Sequence, residues 1–466
     1  MRFPIVGMSV AIAATMPFVA RAEQKTVPAG TTVTVDGADM ASWIGADIEI
    51  GSGATLCFNE PASEGTFTGR ITGSGNFVAK AASETTLPKV FNMNGDASGF
   101  TGGFFYTNVI PRIKKPLAVG DVATITVYCP YNTGNGAKSY LWGPSSASEP
   151  DYVYQNALDV YVGSNNGFVI ASRAVAAGSI VHRKGIFHGP GKITGRIDTY
   201  STALYLADGL HSEGLIASHD TTKILNSGTS LYFKSTASDA ATFNAFNCNT
   251  PVHLEGDNLF GESVELQIGS TFSGASKSGR LELNGHSQVF KSVDFPSAPD
   301  EQYTFIGGIG NTGAPATITV VNQNKAVWFR GCLDGHLSVS VSGSSQLGFV
   351  GPTNTIDGTI TSSGGKVVLG HGWPKIQNVV SSDGGLVVFD ATADINPKVT
   401  VDIDSSSTIK ASNGLSMKVR RLRIDGVDLP VGKYNKTSPA VSGRFDSFGN
   451  GTIEVTGVPG GMLIIK

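Results

Sequence analysis

The chain has 466 residues, and its 34 lysines and arginines against 37 aspartates and glutamates give a net charge of −3 at neutral pH. Charged residues make up only 15% of the chain, below the roughly 25% usual for a soluble domain. The 40% hydrophobic content excludes intrinsic disorder, which requires low hydrophobicity and strong charge repulsion. The near-neutral charge excludes a broad basic surface for nucleic acid, so we expect no nucleic-acid partner.

The first 22 residues are typical of a secretory signal peptide. Arg2 supplies the positive region, an apolar stretch reaches Val19, and Ala20-Arg21-Ala22 is a small-x-small cleavage site. Cleavage there makes Glu23 the first mature residue, and an uncleaved membrane anchor is the alternative. No later segment approaches the length of a membrane span. We therefore predict an exported protein, secreted or displayed on the cell surface, without a transmembrane segment once the signal is removed.

Four cysteines raise the question of disulfides, since an even number in an exported protein suggests pairing. They are Cys57, Cys129, Cys248 and Cys332. If turns of about 22 residues stack at roughly 4.8 Å, Cys57 and Cys129 lie about 14 Å apart, whereas a disulfide needs Cα atoms within about 7 Å. We expect buried thiols rather than disulfides.

An internal repeat of about 20 residues runs through the C-terminal half. Apolar pairs recur at Val327/Phe329, Leu347/Phe349, Val367/Leu369, Val387/Phe389 and Ile409/Ala411. A second series keeps the same phase at Thr319, Val339, Thr359, Val379 and Val401. Each unit therefore carries two short alternating runs, which are separated by turns rich in serine and glycine.

A run of four or five residues cannot bury a face by itself. Stacking successive units as parallel strands pairs their backbone groups and aligns the apolar side chains in continuous columns. The short links exclude helical crossovers, and crossovers between parallel strands are generally right-handed. We predict an all-β fold, a single-stranded right-handed parallel β-helix (β-solenoid) with coils of about 20–24 residues.

The repeat sets the expected domain organisation. Residues 1–22 form the signal peptide, and residues 23–413 form the β-helix, with irregular insertions around 105–165 where the phase breaks. Residues 414–466 have a pattern of their own and are predicted to be a C-terminal capping β unit, as the end of a solenoid requires.

Several phrases of the sequence resemble a known family. Gly-x-Gly followed by a strand pattern recurs at Gly51–Leu56, Gly73–Phe77 and Gly449–Ile453, with related phrases at Leu281–Phe290 and Leu422–Tyr434. Together they resemble the autotransporter-associated β-strand repeats of bacterial surface and secreted proteins. The resemblance implies a passenger-like β-helix outside the cell with an adhesive, structural or unknown role, and it implies no catalytic residues.

A catalytic alternative rests on the stretch from Asp198 to Asp220. These two aspartates are 22 residues apart, so one coil would stack them about 5 Å apart on one face. Neighbouring carboxylates repel and raise one pKa, which suits acid–base chemistry. With His211 and Glu213 between them, the four residues are the candidate catalytic set of a polysaccharide lyase or glycoside hydrolase. The other interpretation is a set of solvated turn residues.

No motif indicates a cofactor or a metal ion. Gly308–Gly313 matches a dinucleotide fingerprint literally, but a strand pattern rather than a helix follows it, so we interpret it as a turn. Asp402 and Asp404 alternate on one strand, yet the glycine-rich nonapeptide of calcium-binding β-rolls is missing. We therefore predict no cofactor and no metal site.

The sequence as a whole predicts a secreted or surface-displayed β-helical repeat protein with a structural or adhesive role and no catalysis. Extracellular or cell-surface polysaccharide is the candidate partner. A dense basic cluster could contact such an anionic polymer, although charges at a sheet end more often prevent edge-to-edge pairing; it comprises Lys418, Arg420, Arg421 and Arg423.

Overall fold

The protein, seen in a computed structural model, is a parallel β-solenoid of about 15 turns, and 56% of the residues that the structure describes are in strands. The predicted all-β β-helix is therefore confirmed. The structure describes residues 22–61, 64–81, 89–116, 124–130, 138–163, 167–218, 223–227, 230–245, 251–268, 279–294, 308–322, 326–329, 331–351, 354–446 and 448–457. The predicted signal peptide lies almost wholly outside these ranges. Within them, helix occurs at Met40–Trp43, with 3-10 turns at Gly37–Asp39 and Pro439–Val441.

The strands of the described residues form seven sheets. A nine-stranded sheet holds Thr32–Asp36, Thr55–Asn59, Asn76–Lys80, Gly103–Thr107, Ile125–Cys129, Leu158–Val162, Ile180–Lys184, Ile197–Thr199 and Ile216–Ser218. An eleven-stranded sheet holds Glu64–Phe67, Lys89–Met93, Val109–Ile113, Ser139–Leu141, Gly167–Ile170, Ile186–His188, Ala203–Ala207, Lys223–Ser227, Thr242–Ala245, Glu265–Ile268 and Ser292–Asp294. A four-stranded sheet holds Gln24–Val27, Asp47–Ile50, Arg70–Gly73 and Asp96–Phe100.

The other four sheets lie mainly in the C-terminal half. A sixteen-stranded sheet holds Tyr152–Tyr154, Ala174–Ala176, Lys192–Ile193, His211–Ser212, Leu231–Phe233, Val252–Leu254, Arg280–Glu282, Gln288–Phe290, Gly308–Val320, Cys332–Ser342, Thr355–Ile356, Thr359–Ser363, Asn378–Ser382, Thr400–Ile403, Arg421–Ile424 and Val427–Asp428. A five-stranded sheet holds Val327–Phe329, Gln346–Phe349, Lys366–Leu369, Leu386–Phe389 and Thr408–Ala411. Two small sheets hold Gly372–Trp373 with Asp394–Ile395, and Ser416–Val419 with Gly432–Tyr434 and Thr452–Val455.

A turn of the N-terminal half has three sides. The chain passes from Leu158–Val162 through Gly167–Ile170 and Ala174–Ala176 before Ile180–Lys184 stacks on the first of these strands. Turn length varies more than the predicted 20–24 residues: Ile125 pairs with Leu158, whereas the next pairs are as close as Ile180 with Ile197. Only the inward strand residues must align for the core to form, so the loops at the corners can differ in length from one turn to the next.

The predicted apolar column of the C-terminal half is confirmed. Leu347 pairs with Val367, Val367 with Val387, and Val387 with Ile409. All four side chains are at most 2% exposed. This column lies on the inward face of the five-stranded sheet, and each side chain in it stacks on its partner in the preceding turn.

The second predicted series is wrong by one residue at two of its positions. Val339 stacks on Ile318 and Ile360, not on Thr319 and Thr359. Successive strand residues point to opposite faces, so a shift of one residue exchanges the inward and outward sets. The two isoleucines are buried and the two threonines are partly exposed.

Glycines at one corner of the N-terminal turns allow close stacking. Gly51, Gly73 and Gly102 follow or end successive strands of the four-stranded sheet. A Cβ on Gly73 would overlap the carbonyl oxygen of Ile50, and one on Gly102 would overlap the carbonyl oxygen of Gly75. Gly73 also has a φ of 95°, which favours glycine. The recurring Gly-x-Gly phrase therefore marks corners where one turn touches the next.

The region around 105–165 contributes strands to the stack. Its described residues include Val109–Ile113, Ile125–Cys129, Ser139–Leu141 and Tyr152–Tyr154, each paired in parallel with a neighbouring turn. Residues 145–151 form an exposed loop between two of these strands. Residues 117–123 and 131–137 lie outside the described ranges. Long corners, rather than a departure from the stack, therefore account for the loss of phase in the described part.

Antiparallel pairing occurs near the C-terminal end of the stack. Arg421–Ile424 still stacks in parallel on Thr400–Ile403. Val427–Asp428 then folds back on Arg421–Ile424, and Gly432–Tyr434 pairs antiparallel with Thr452–Val455. Antiparallel pairing interrupts the repeating pattern, because the returning strand runs against the direction in which the turns are stacked.

Two expectations about individual residues have clear outcomes. Cys57 and Cys129 are buried in the nine-stranded sheet with two strands between them, so they lie too far apart to bond to each other. Cys248 lies outside the described residues. The turn predicted at Gly308–Gly313 is wrong, because these residues belong to the strand Gly308–Val320. A Cβ on Gly308 would overlap the carbonyl oxygen of Cys332, so close strand contact explains this glycine.

Candidate functional site

The predicted catalytic residues lie on two faces of the solenoid. Asp198 is in the nine-stranded sheet, where its carboxylate forms an ion pair with the Arg196 guanidinium at 2.7 Å. His211 and Glu213 lie in and just after a strand of the sixteen-stranded sheet. Asp220 lies outside the described residues. The structure therefore brings His211 and Glu213 together and separates both from Asp198.

His211 belongs to a ladder of stacked rings. Its imidazole lies 4.3 Å from the Tyr232 ring with planes 5° apart, and Tyr232 lies 5.0 Å from the His253 ring at 12°. The parallel register of their three strands produces the stack. In such a ladder the inner faces of the rings are used by their neighbours, and the ring edges face solvent.

The charges around this ladder are paired. Glu213 lies 3.4 Å from the Lys192 ammonium, and the His211 Nδ1 lies 3.8 Å from Glu255. Both pairs join adjacent or nearby turns of one face. Contacts between side chains of different turns help to hold the turns together, and we interpret the His211–Tyr232–His253 ladder as structural.

Sequence reasoning missed a cluster of titratable groups at His188. The His188 Nδ1 lies 2.6 Å from the Asp208 carboxylate and 3.3 Å from the Lys138 ammonium. The imidazole lies over Gly167, where a Cβ would overlap it. Burial lowers the pKa of His188 below its ordinary value, while the hydrogen bond to Asp208 acts in the opposite direction. The result is a largely buried imidazole that is oriented by a carboxylate.

The nine-stranded sheet carries a strip of tyrosines and cations on its outer face. The strip consists of Tyr128, Tyr161, Arg183, Lys184 and Tyr200, and we call it the tyrosine–cation strip. Its residues come from four successive turns. Tyr128 and Tyr200 are 46% and 48% exposed, so both rings present a large apolar area to solvent.

The geometry of the strip interleaves rings and charges. Tyr128 and Tyr161 stack at 5.0 Å with planes 25° apart. The Lys184 ammonium lies 5.8 Å from the Tyr161 ring, and the Arg183 guanidinium lies 5.7 Å from the Tyr200 ring. Cations at this distance are attracted by the negative faces of the rings. The strip is therefore a preformed row rather than a set of independent side chains.

A β-bulge makes the two adjacent cations possible. Between the strands Leu158–Val162 and Ile180–Lys184 the register shifts, so that Tyr161 pairs with Lys184 rather than with Arg183. In a regular strand consecutive residues point to opposite faces, whereas a bulge re-aims one side chain. Arg183 is exposed and Lys184 half-buried, and both contact rings on the outer face.

A smaller group of similar composition lies on the eleven-stranded sheet. The Arg112 guanidinium lies 5.8 Å from the Tyr140 ring, and the Lys114 ammonium lies 5.7 Å from the Trp142 ring. Tyr140 and Trp142 stack at 5.4 Å. The Tyr154 hydroxyl anchors this corner by donating to the carbonyl of Trp142 at 2.6 Å. Two faces of the solenoid thus present aromatic rings next to cations.

Three of the other sequence candidates, Asp402, Arg421 and Arg423, form internal ion pairs. The Asp402 carboxylate accepts from Arg423 on the next strand at 3.0 Å. Arg421 and Arg423 also face Asp428, at 3.9 and 3.7 Å. This part of the basic cluster therefore joins the last parallel strands to each other.

Comparison of the chain with models of known protein families, with curated proteins and with solved structures finds no match. Within the described ranges, no helix combines the length and apolarity needed to cross a lipid bilayer. Function must therefore be argued from the surfaces of the solenoid.

Proposed function

We propose that this protein is a secreted or surface-displayed β-helical scaffold with an adhesive role, and that it binds acidic polysaccharide along the tyrosine–cation strip. One observation carries the proposal: three tyrosine rings and two cations form a single outward row over four successive turns. A row of this kind matches an extended polymer better than it matches a compact ligand.

The chemistry of the strip fits a chain of uronic acids. The C–H face of a pyranose ring packs against an aromatic ring through dispersion and through attraction to the ring's negative face. Carboxylates of the same polymer would pair with the adjacent cations. The Arg183 guanidinium already binds Asp159 through two bonds of 2.8 and 3.1 Å, so it acts mainly as a positioned partner of Tyr200. Lys184 is then the principal cation for the ligand.

Export and family remain part of the proposal. The signal-like residues 1–22 support secretion, and the close corners at Gly51 and Gly73 support kinship with autotransporter-associated β-strand repeats, because those repeats share the Gly-x-Gly phrase. Expression in a bacterial host followed by N-terminal mass analysis of the exported protein tests the first point. We expect Glu23 at the N-terminus of the exported protein. A protein that stays in the cytoplasm and still carries residues 1–22 would contradict secretion.

Binding is tested by retardation of the protein in gels containing polygalacturonate, with dextran as the neutral comparison. Tyr128→Ala and Tyr161→Ala are each expected to weaken binding to polygalacturonate about tenfold, which corresponds to roughly 1.4 kcal/mol. Lys184→Ala is expected to weaken it similarly at low salt and less at high salt, because salt screens exposed charges.

Matched controls remove an exposed ring and an exposed cation far from the strip. Phe448 is 79% exposed and Lys398 is exposed, and both lie in the C-terminal part of the chain. Phe448→Ala and Lys398→Ala should bind polygalacturonate as the unaltered protein does. Equal retardation of the unaltered protein and all five variants, or retardation by dextran alone, would overturn the proposal.

The His188 cluster favours one second candidate, cleavage of acidic polysaccharide by β-elimination. With Nδ1 donating to Asp208, Nε2 of His188 is the atom that would remove the proton at C5 beside a uronate carboxylate. The electron pair of the C–H bond then forms the C4–C5 double bond, the C4–O bond breaks, and the departing glycosidic oxygen takes a proton from water. The same polygalacturonate is incubated with the protein and the ultraviolet absorbance of unsaturated products is followed. Turnover that is lost in His188→Ala would support this activity, and absence of any product would refute it.

A further inference from the structure

One exposed tryptophan packs against a glycine on the neighbouring strand of its sheet. Trp328 belongs to the first strand of the five-stranded sheet and alternates with the buried Phe329. Gly348 is its partner on the next turn, and a Cβ there would overlap the indole carbons Cε3 and Cζ3. The indole therefore covers the backbone of Gly348, which explains why this outward glycine is buried.

The opposite side of this indole faces solvent. Trp328 is 47% exposed although one of its faces rests on the next strand. Rings in the tyrosine–cation strip and in the histidine ladder stack on one another, so their inner faces are occupied. Trp328 instead rests part of its indole on Gly348 and leaves much of the ring system open to solvent.

Polar and apolar groups border the plane. A shallow groove beside the indole is lined by Gln346 and Lys366, which are partners on adjacent strands, and by Val368 beyond Gly348. The amide of Gln346 can donate and accept hydrogen bonds, and the Lys366 ammonium can donate them. The apolar plane with donors along one edge is the complement of a sugar ring, which has a C–H face and a hydroxyl rim.

We propose that Trp328 is the platform of a second carbohydrate-binding site, which takes a pyranose ring whose hydroxyls are equatorial, as in a β-linked glucan. Equatorial hydroxyls leave both faces of the ring covered by C–H groups, so the ring lies flat on the indole while its rim reaches Gln346 and Lys366. This site does not depend on the tyrosine–cation strip, and it requires no charge on the ligand.

The dimensions of the site predict weak binding by a single ring. The groove has a volume of about 40 Å³, so it cannot enclose a sugar, and most of the bound ring stays in contact with water. We expect a Kd on the order of 0.1–1 mM for a short oligosaccharide, with useful avidity only for a polymer.

Titration of the full protein with cellohexaose, followed by indole fluorescence and by calorimetry, tests the proposal. For the unaltered protein we expect a saturable shift of the emission and a saturable heat of binding. Both are absent in Trp328→Ala. Trp328→Phe has no indole at this position, and its Kd, measured by calorimetry, is expected to be three- to tenfold higher. Gly348→Ala keeps the indole but lifts it from the sheet, so we expect at least a tenfold increase in the Kd.

Gly372→Ala is the matched control, because a Cβ at this strand glycine meets no atom within 4 Å. It should bind cellohexaose as the unaltered protein does. Saturable binding that survives Trp328→Ala, or no saturable binding up to the solubility of cellohexaose, would overturn the proposal. Polygalacturonate retardation reports on the other site, so failure of one proposal is distinguishable from failure of the other.

Discussion

Acid should destabilise this protein through one buried histidine next to the tyrosine–cation strip. His182 has no exposed surface; its Nδ1 lies 3.0 Å from the Thr199 hydroxyl and its Nε2 lies 3.2 Å from the carbonyl oxygen of Gly185. Burial lowers the pKa of His182 from 6.5 to about 4, and the bond to Gly185 acts against that shift. The bond to Gly185 spans the bulge that presents Arg183 and Lys184.

The sign and size of the effect follow from linkage. The unfolded chain takes up a proton at His182 near pH 6.5, whereas the folded chain resists until about pH 4. Stability from this group is therefore complete above pH 6.5 and falls as the pH drops toward 4. Between pH 7.5 and 4.5 the loss is about 2.5 kcal/mol, since one pKa unit corresponds to about 1.36 kcal/mol.

Urea unfolding followed by circular dichroism at pH 7.5 and 4.5 measures this loss, and His182→Gln isolates it from the contribution of carboxylates. The variant is expected to be less stable at pH 7.5 but to lose about 2.5 kcal/mol less on acidification. His371→Gln, which removes an exposed imidazole, is the control, and the difference in its unfolding free energy between the two pH values should match that of the unaltered protein. The same pH dependence in His182→Gln as in the unaltered protein would refute the reasoning.

Three further predictions concern packing. Phe77→Ala should lower the free energy of unfolding by about 3–5 kcal/mol, because Phe77 packs against five other rings, whereas the exposed Phe448→Ala should change it by less than about 0.5 kcal/mol in urea titration. Iodoacetamide should label Cys57 only after unfolding, since burial covers the thiol and raises its pKa; rapid labelling of the folded protein, detected by mass spectrometry, would contradict this. Gly310→Ala should lower the free energy of unfolding by about 1–3 kcal/mol, because the added Cβ must displace Arg280, which bridges Glu282 and Asp334. Gly372→Ala should leave the free energy of unfolding unchanged, and thermal unfolding of both variants measures the difference.

The fold could be predicted from the sequence where the turn length is constant. Leu347, Val367 and Val387 recur every 20 residues and stack directly, so their period is visible without coordinates. From Ile125 to Leu158 the turn is longer, and no fixed period connects these two stacked residues. The core constrains only the inward residues of each strand, so the sequence carries no regular signal through such a turn.

The candidate site was harder to predict because its residues share only a face. Tyr128, Tyr161 and Tyr200 follow no common spacing and are aligned solely by strand pairing across turns of unequal length. The length of a coil groups Asp198 with His211, but it does not show on which of the three sides of the coil each residue lies. Residues a fraction of a turn apart on a three-sided coil lie on different faces, as these two do.

The bulge at Arg183 shows how the proposed function depends on an irregularity in the fold. A regular pairing of Leu158–Val162 with Ile180–Lys184 would direct only one of two consecutive residues outward. The additional residue brings Arg183 and Lys184 onto the same surface, at the cost of interrupted pairing. The buried His182 offsets that cost by bonding across the interruption to Gly185. The buried histidine and the exposed cations therefore act as one unit, so a change in the protonation of His182 should alter both the stability of this turn and the geometry of its outer surface.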